Sequence, residues 1–369
     1  MQTQESLDEL LKLFSRGACV SLDTEADSLH HYHEKVCLIQ LSIDRQNFIV
    51  DPLAEINVPS LLEVLRNCRL VVHGGEYDLR MLRASFDYEH KSDVFDTMLA
   101  AQILGYERLG LVNLVEDILG INLSKKGRKS DWSNRPLTEN QLAYACDDTR
   151  YLDRISGHLS EELKKLGRLE WHQESCQRMM AQTREVKPPA DPERAWRIKG
   201  HRTLRPRQLA VLRSIWHWRE QNACDADLPP FKIIGNATLI EICKWATGGD
   251  FHKGSGPKLP RNINGHRRDD LLKAVDEGLK LPESDLPRHY VGRYDPSADR
   301  KLVDALKAEC TQIAREHNIE TSVIAPRSML EAIVVSGART VEQILASTSA
   351  MKWQARLIVP AVVCVLGPG

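Results

Sequence analysis

Apolar positions in the first half of the chain follow two different periods. Short runs of apolar and β-branched residues bounded by turn residues occur over residues 18–25 and 36–43, and such runs favour extended backbone. Over residues 77–84 and 97–104 the apolar positions recur every three or four residues, which predicts helices that pack by one face. Strands and helices interleave, so we predict a mixed α/β domain.

Helical spacing continues through the second half of the chain. Thr138 and Gln141 form a capping-box pattern, which predicts the start of a long helix reaching about Leu166. Apolar spacing predicts further helices over residues 205–222 and 238–246. We therefore expect an all-α back half. The proline-rich stretch around residues 185–192 is the best linker candidate.

The composition is that of a globular protein with more than one domain. Its 369 residues are 42% hydrophobic and 27% charged, and domains usually hold about 100 to 200 residues. The longest apolar run, near residues 357–366, is too short for a membrane span and contains Pro360. The start of the chain does not resemble a secretory signal. We expect a cytoplasmic protein without membrane association, and we favour a monomer.

Cysteine usage and charge change this picture in two ways. Nine cysteines occur without any Cys-x-x-Cys pair, which argues against a structural zinc site and a disulfide framework. Residues 1–190 carry 23 Lys and Arg against 30 Asp and Glu, a net charge of −7, whereas residues 191–292 carry 18 against 13, a net charge of +5. An acidic region suited to cations is therefore followed by a basic region that suits a polyanion.

Three stretches of the acidic region carry candidate chemistry. Asp23 and Glu25 end an apolar strand, and the two-residue period of a strand puts both carboxylates on one face. Asp78 begins a helix after a buried strand and a glycine turn, and Tyr144 lies one helical turn before Asp148. Taken singly, each stretch also fits a structural role: a solvated strand end, a partner of the helix dipole, or a half-buried tyrosine beside exposed acids.

Together, and in this order, the three stretches match the exonuclease motifs of the DEDD superfamily, tyrosine branch. The flanking segments SLDTEADSLHHYHEKVCLIQLS, VVHGGEYDL and SDWSNRPLTENQLAYACDDTRYL resemble ribonuclease D. The resemblance implies a ribonuclease H-like (DnaQ-like) exonuclease domain with a mixed sheet over residues 1–180 and a linker over 181–202. TLRPRQLAVLRSIWHWRE resembles an HRDC domain, expected over 203–290, and residues 291–369 fit a second HRDC-like helical domain.

This resemblance implies a reaction and a cofactor. Two divalent ions, Mg²⁺ or Mn²⁺, are expected on Asp23, Glu25, Asp78 and Asp148, where they would activate water and stabilise the attacking and leaving oxygens. Tyr144 is expected to orient that water or the phosphate, because a phenol with a pKa near 10 is a poor base at neutral pH. The expected activity is 3′→5′ removal of nucleoside 5′-monophosphates from RNA with a free 3′ end, with transfer RNA precursors as expected substrates.

Further residues are candidates for binding the RNA. They lie after the first motif, in the basic loop before Thr138 and in the basic region: Leu29, Tyr32, Arg128, Lys129, Trp132, Arg205, Arg207 and Arg213. The basic loop fits phosphate contacts and base stacking, but it equally fits a solvated loop with one buried indole. The closely spaced His30, His31 and His33 suggest zinc, yet they lack a second ligand pair at suitable spacing.

Two alternatives stay open at this stage. The same fold also serves DNA-directed 3′→5′ exonucleases. A non-catalytic RNA-binding scaffold belongs to a different class, and it is disfavoured because all five motif residues are present. A helicase is disfavoured because the chain has no Gly-x4-Gly-Lys-Ser/Thr phosphate loop.

Overall fold

The computed structural model describes residues 1–14, 18–124, 126–127, 129–185, 191–248, 256–289 and 299–368. These residues form two compact units. The first unit joins residues 1–26 and 36–185 to the described residues of 293–369. The second joins residues 27–35 to the described residues of 186–292.

A five-stranded mixed sheet is the frame of the first unit. Its strands are β1 (Cys19–Ala26), β2 (Val36–Ile43), β3 (Gln46–Val50), β4 (Arg69–Val72) and β5 (Val94–Asp96), in the order β3-β2-β1-β4-β5. The pairs β1–β2 and β2–β3 are antiparallel, whereas β1–β4 and β4–β5 are parallel. The predicted mixed α/β fold is therefore confirmed.

In the described part of this unit, eight helices lie before residue 186. They are α1 (Gln4–Leu11), α2 (Val58–Leu65), α3 (Glu76–Phe86), α4 (Thr97–Leu104), α5 (Leu111–Leu119), α6 (Glu139–Arg150), α7 (Leu152–Lys165) and α8 (Leu169–Arg184). Every residue of β2 is buried, as expected for a strand covered on both faces. The Thr138 capping box is confirmed, but the single helix predicted to reach Leu166 is wrong, because the helix is interrupted at Tyr151.

The C-terminal helices belong to the same unit. They are α14 (Arg300–His317), α15 (Thr321–Ile324), α16 (Arg327–Ser336), α17 (Val341–Ser347) and α18 (Lys352–Leu366). The ring of Trp353 stacks on that of Trp171, with centroids 4.8 Å apart and planes 10° apart. The Glu174 carboxylate accepts hydrogen bonds from the first two amides of α18, at 2.6 and 3.2 Å. These contacts make the C-terminal helices part of the body that contains the sheet.

The second unit is helical. It contains α9 (Pro192–Ala195), α10 (Pro206–Asp225), α11 (Pro230–Ile233), α12 (Asn236–Ala246) and α13 (Gly265–Lys280), with short 3-10 turns at His201–Thr203 and Glu283–Asp285. Helices α10 and α13 pack closely because Gly278 lies against the backbone of Val211, where a Cβ atom would approach to 2.5 Å. Trp218 lies in this core.

None of the described helices is by itself long and apolar enough to span a membrane. Helices α17 and α18 reach the required length and composition only together, as a pair bent by 115°.

Candidate active site

The first two predicted ligands lie at the end of β1. Asp23 pairs with Gln40 of β2 and Glu25 pairs with Leu38, so both acids face the same side of the sheet. The pairing register shifts directly after Glu25, and such an irregularity changes the direction of the strand. Both acids are partly exposed.

Helix α6 adds a third carboxylate to this pair. Asp23, Glu25 and Asp148 each offer a ligand oxygen, and these oxygens all lie within 4.8 Å of one another. Among the described residues this is the one group of three or more potential metal ligands, so the alternative of a zinc site at His30, His31 and His33 gains no support. The position of α6 is secured by a 2.8 Å hydrogen bond between Ser42 of β2 and Thr149.

Asp78 is held separately, in the first turn of α3. It is 5% exposed, and its Oδ1 accepts hydrogen bonds from the amide of Thr24, at 3.0 Å, and from the Thr24 hydroxyl, at 2.7 Å. Thr24 lies between Asp23 and Glu25 in the chain, so one strand end carries two acids and orients a third.

Burial and neighbouring negative charges raise the pKa values of Asp23 and Asp78. The pKa of Asp23 is raised well above its ordinary value, first by desolvation and then by the negative charges of Asp78, Asp148 and Glu25. Burial raises the pKa of Asp78 to about 6, although the hydrogen bonds from Thr24 oppose the shift. Hard cations with oxygen ligands relieve such repulsion. The donor set therefore suits divalent metal ions.

Tyr144 lies one turn before Asp148 on α6. Its ring is 6.0 Å from the ring of Trp132 and inclined to it by 36°. Trp132 is 2% exposed and packs with Cys37, Leu38 and Ala145. The structure therefore favours a buried indole over an indole that stacks on a base. Trp132 is the one aromatic residue in the sequence of the basic loop, so the proposal that this loop stacks on RNA bases is weakened.

The other predicted binding residues are spread over several regions. Leu29 is 45% exposed, whereas Tyr32 packs against the core of the helical unit. Lys129 is exposed, and Arg128 lies outside the described residues. Arg205 is also exposed.

Two arginines of α10 have structural partners. Arg207 donates to the carbonyl oxygens of Leu279 and Leu281, and Arg213 forms an ion pair with Glu193 at 2.7 Å. Both guanidinium groups thus stabilise the helical unit itself, and a role in RNA binding stays a prediction.

Two polar residues beside the acids escaped the sequence prediction. Thr24, which orients Asp78, is hidden inside the Asp-x-Glu motif. Gln40, opposite Asp23, is fully buried, and neither atom of its amide has a hydrogen-bond partner among the described residues. A polar residue inside the otherwise apolar run VCLIQL was the available signal. The carboxylate of Asp96, at the end of β5, accepts hydrogen bonds from the Gly74, Gly75, Met98 and Leu99 amides.

Comparisons with protein families agree with this geometry. The family model described as a 3′-5′ exonuclease matches residues 1–164, the part that contains all five motif residues. The HRDC domain model matches residues 208–246, within the helical unit.

Whole-chain comparisons extend the likeness. Ribonuclease D of Gluconacetobacter diazotrophicus is 30% identical over 338 residues, which cover 90% of this chain and 85% of the relative. The crystal structure of Escherichia coli RNase D, described as an exoribonuclease involved in structured RNA processing, has a TM-score of 0.70 at 26% identity and covers 99% of this chain and 97% of its own.

A third relative covers less of the chain. The catalytic core of RRP6 from Trypanosoma brucei gives a TM-score of 0.61 at 25% identity, covering 76% of this chain and 79% of its own. Curated relatives, family models and solved structures thus agree on one assignment. The chain belongs to the ribonuclease D family and is a 3′→5′ exoribonuclease.

Proposed function

We propose that Asp23, Glu25, Asp78 and Asp148 bind two divalent cations, Mg²⁺ or Mn²⁺, and that the chain releases nucleoside 5′-monophosphates from RNA 3′ ends. The observation that carries this proposal is the convergence of three carboxylates within 4.8 Å, next to a fourth whose charge raises the pKa of Asp23. When bound, two such ions lower the pKa of a water and neutralise charge on the attacking and leaving oxygens.

Three further residues have separate roles in this proposal. Thr24 holds the Asp78 carboxylate in one orientation through two hydrogen bonds. Tyr144, one turn from Asp148, is suited to orient the water or the scissile phosphate by hydrogen bonding. Leu29, exposed four residues beyond Glu25, is suited to contact the 3′-terminal nucleotide. These assignments extend the family's activity to individual positions of this chain.

Transfer RNA precursors with extended 3′ ends are the substrates we propose. The described role of E. coli RNase D in structured RNA processing supports RNA of this kind. We also propose that the protein acts as a cytoplasmic monomer. The alternative, a DNA-directed exonuclease, is tested by digesting matched RNA and DNA oligonucleotides side by side.

The test is incubation of a 3′-extended transfer RNA precursor with and without Mg²⁺, and with a blocked 3′ end. We expect stepwise release of nucleoside monophosphates, prevented by chelation and by the block. Replacing Asp23→Asn should abolish shortening and leave RNA binding largely intact, because the change removes a metal ligand and not a surface cation. Internal cleavage products, or full activity of Asp23→Asn, would contradict the proposal.

A further inference from the structure

A glycine of the basic loop packs against Tyr144 of α6. A Cβ atom added at Gly127 would lie 3.0 Å from Cβ and 3.1 Å from Cγ of the tyrosine, closer than two non-bonded carbon atoms normally approach. The backbone φ of Gly127 is 116°, a value that residues with a side chain rarely adopt. Glycine therefore permits both the turn of the loop and its close approach to Tyr144.

The turn that contains Gly127 is attached to the same helix as Tyr144. The Ser130 amide donates to the Gly127 carbonyl at 2.8 Å. The carbonyl of the next residue, Asp131, accepts a hydrogen bond from the side-chain amide of Gln141 at 3.4 Å. Gln141 lies on α6, three residues before Tyr144. The turn is thus held beside the tyrosine by the helix that carries it.

Arg135 fixes the other end of the basic loop. Its guanidinium group donates to both oxygens of the Asp51 carboxylate, at 2.6 Å each, and a paired contact of this kind defines the orientation of both groups. The same guanidinium group donates to the carbonyl oxygens of Trp132, at 2.7 Å, and Cys37, at 3.0 Å. The loop is therefore bonded to the sheet-containing unit on both sides of Trp132.

Trp132 lies beside the ring of Tyr144. The indole is buried, its ring centroid is 6.0 Å from that of the tyrosine, and both side chains pack in one apolar cluster with Leu38 and Ala145. The Gly127 backbone limits the tyrosine at Cβ and Cγ, and the indole limits it at the ring. Packing of this kind restricts the orientations that a side chain can adopt.

We infer that Gly127 is a positioning residue for the exonuclease reaction: its close packing on Tyr144, supported by Trp132, holds the phenol in the orientation that the reaction uses. This inference rests on the proposed role of Tyr144 in orienting the water or the scissile phosphate. It gives the basic loop a task that does not depend on its positive charges. Displacement of a reacting or orienting group by about 1 Å reduces the rate by about a hundredfold.

Steady-state kinetics on single-stranded RNA tests the inference. Gly127→Ala should reduce kcat by about tenfold to a hundredfold, with KM little changed, because the substitution removes no positive charge. In a Tyr144→Phe background the same substitution should cause no further loss of kcat, because the hydroxyl that it displaces is already absent and the effects of coupled residues are not additive.

A second glycine provides the matched control. Gly167, between α7 and α8, also has a positive φ, of 66°, but a Cβ atom added there would meet no atom within 4 Å. Gly167→Ala therefore introduces backbone strain without a contact to Tyr144, and it should lower the thermal stability but leave kcat unchanged.

Trp132→Phe tests the same inference if Gly127→Ala does not fold. It keeps a buried aromatic ring but leaves space beside Tyr144, so it should reduce kcat in the wild-type background and have no further effect in Tyr144→Phe.

Fluorine NMR of the metal-free protein provides a readout that is independent of activity. The chain has eight tyrosines, and after labelling with fluorotyrosine the signal of Tyr144 is identified by its loss in Tyr144→Phe. This signal should change in chemical shift or line width in Gly127→Ala and stay as in wild type in Gly167→Ala. A Tyr144 signal that is the same in wild type and Gly127→Ala would contradict the inference.

Three kinetic results would also overturn the inference. They are an unchanged kcat in Gly127→Ala, equal losses of kcat in Gly127→Ala and Gly167→Ala, and a loss in Gly127→Ala that persists in full in the Tyr144→Phe background. Full activity of Tyr144→Phe would overturn the inference together with the proposed role of Tyr144. Failure of the wild-type protein to shorten RNA would contradict the proposed function, and the NMR comparison would then still decide whether Gly127 positions Tyr144.

Discussion

The two sides of the acidic site hold their carboxylates in different ways. On one side, Asp23, Glu25 and Asp148 bring oxygens within 4.8 Å of one another. On the other, Asp78 is buried and accepts two hydrogen bonds from Thr24. Hydrogen bonds stabilise the charged form of a carboxylate, whereas neighbouring carboxylates destabilise it. The three-acid side therefore depends on cations, and the Asp78 side is oriented by the protein itself.

The largest effect is expected on the three-acid side. Replacing Asp148→Asn removes a ligand charge and should reduce kcat/KM by about a thousandfold or more, which corresponds to several kcal/mol of charge stabilisation. Asp147→Asn is the matched control, because Asp147 is its chain neighbour and pairs with Arg150 at 3.1 Å. Rates of RNA shortening in saturating Mg²⁺ compare the two. Similar losses of kcat/KM in both variants would contradict the assignment of Asp148, and not Asp147, as a metal ligand.

A smaller effect is expected on the Asp78 side. Thr24→Val keeps the backbone donor but removes the hydroxyl that donates to Asp78 at 2.7 Å. Loss of such a supporting hydrogen bond typically costs about tenfold to a hundredfold in metal affinity or activity. Thr24→Ser, which retains the hydroxyl, should recover most of the loss. The measurement is the Mg²⁺ concentration that gives half-maximal activity. If this concentration is the same in Thr24→Val as in wild type, the Thr24 hydroxyl does not orient Asp78 for metal binding.

The smallest effect concerns the stability of the metal-free protein. Because the pKa of Asp78 is raised from 3.8 to about 6, the folded state binds more protons than the unfolded state between these values. The free energy of unfolding should therefore increase as pH falls from 7 to 5, by about 1 kcal/mol from this group.

Chemical denaturation in a chelator measures this pH effect. Asp78→Asn, which cannot titrate, serves as the reference, and the difference from wild type includes the effect of the Asp78 charge on Asp23. A difference between wild type and Asp78→Asn that stays constant from pH 7 to pH 5 would contradict the prediction, and so would a difference that changes in the opposite direction.

Local periodicity predicted the elements that carry the acids. The strand period placed Asp23 and Glu25 on one face, and the helical period placed Tyr144 one turn from Asp148, because both rules depend only on neighbouring residues. The prediction that the distant motifs meet at one site came from the resemblance in the flanking segments. The spacing of the motifs along the chain does not predict it.

Some features were not settled by the sequence. The break between α6 and α7 escaped prediction. The choice between a buried and a base-stacking Trp132 stayed open, because its packing partners Cys37 and Leu38 lie far from it in the chain. Thr24 and Gln40 escaped for a related reason: their roles are set by what lies opposite them, and a side chain's own type does not reveal its partner.

The most direct test of the metal site is a crystal structure of the wild-type protein with Mn²⁺, using anomalous scattering to locate the ions. We predict two anomalous peaks about 4 Å apart, ligated by Asp23, Glu25, Asp78 and Asp148, and their loss in Asp148→Asn. The absence of Mn²⁺ from these four carboxylates, or ions bound elsewhere in a protein that still shortens RNA, would contradict it.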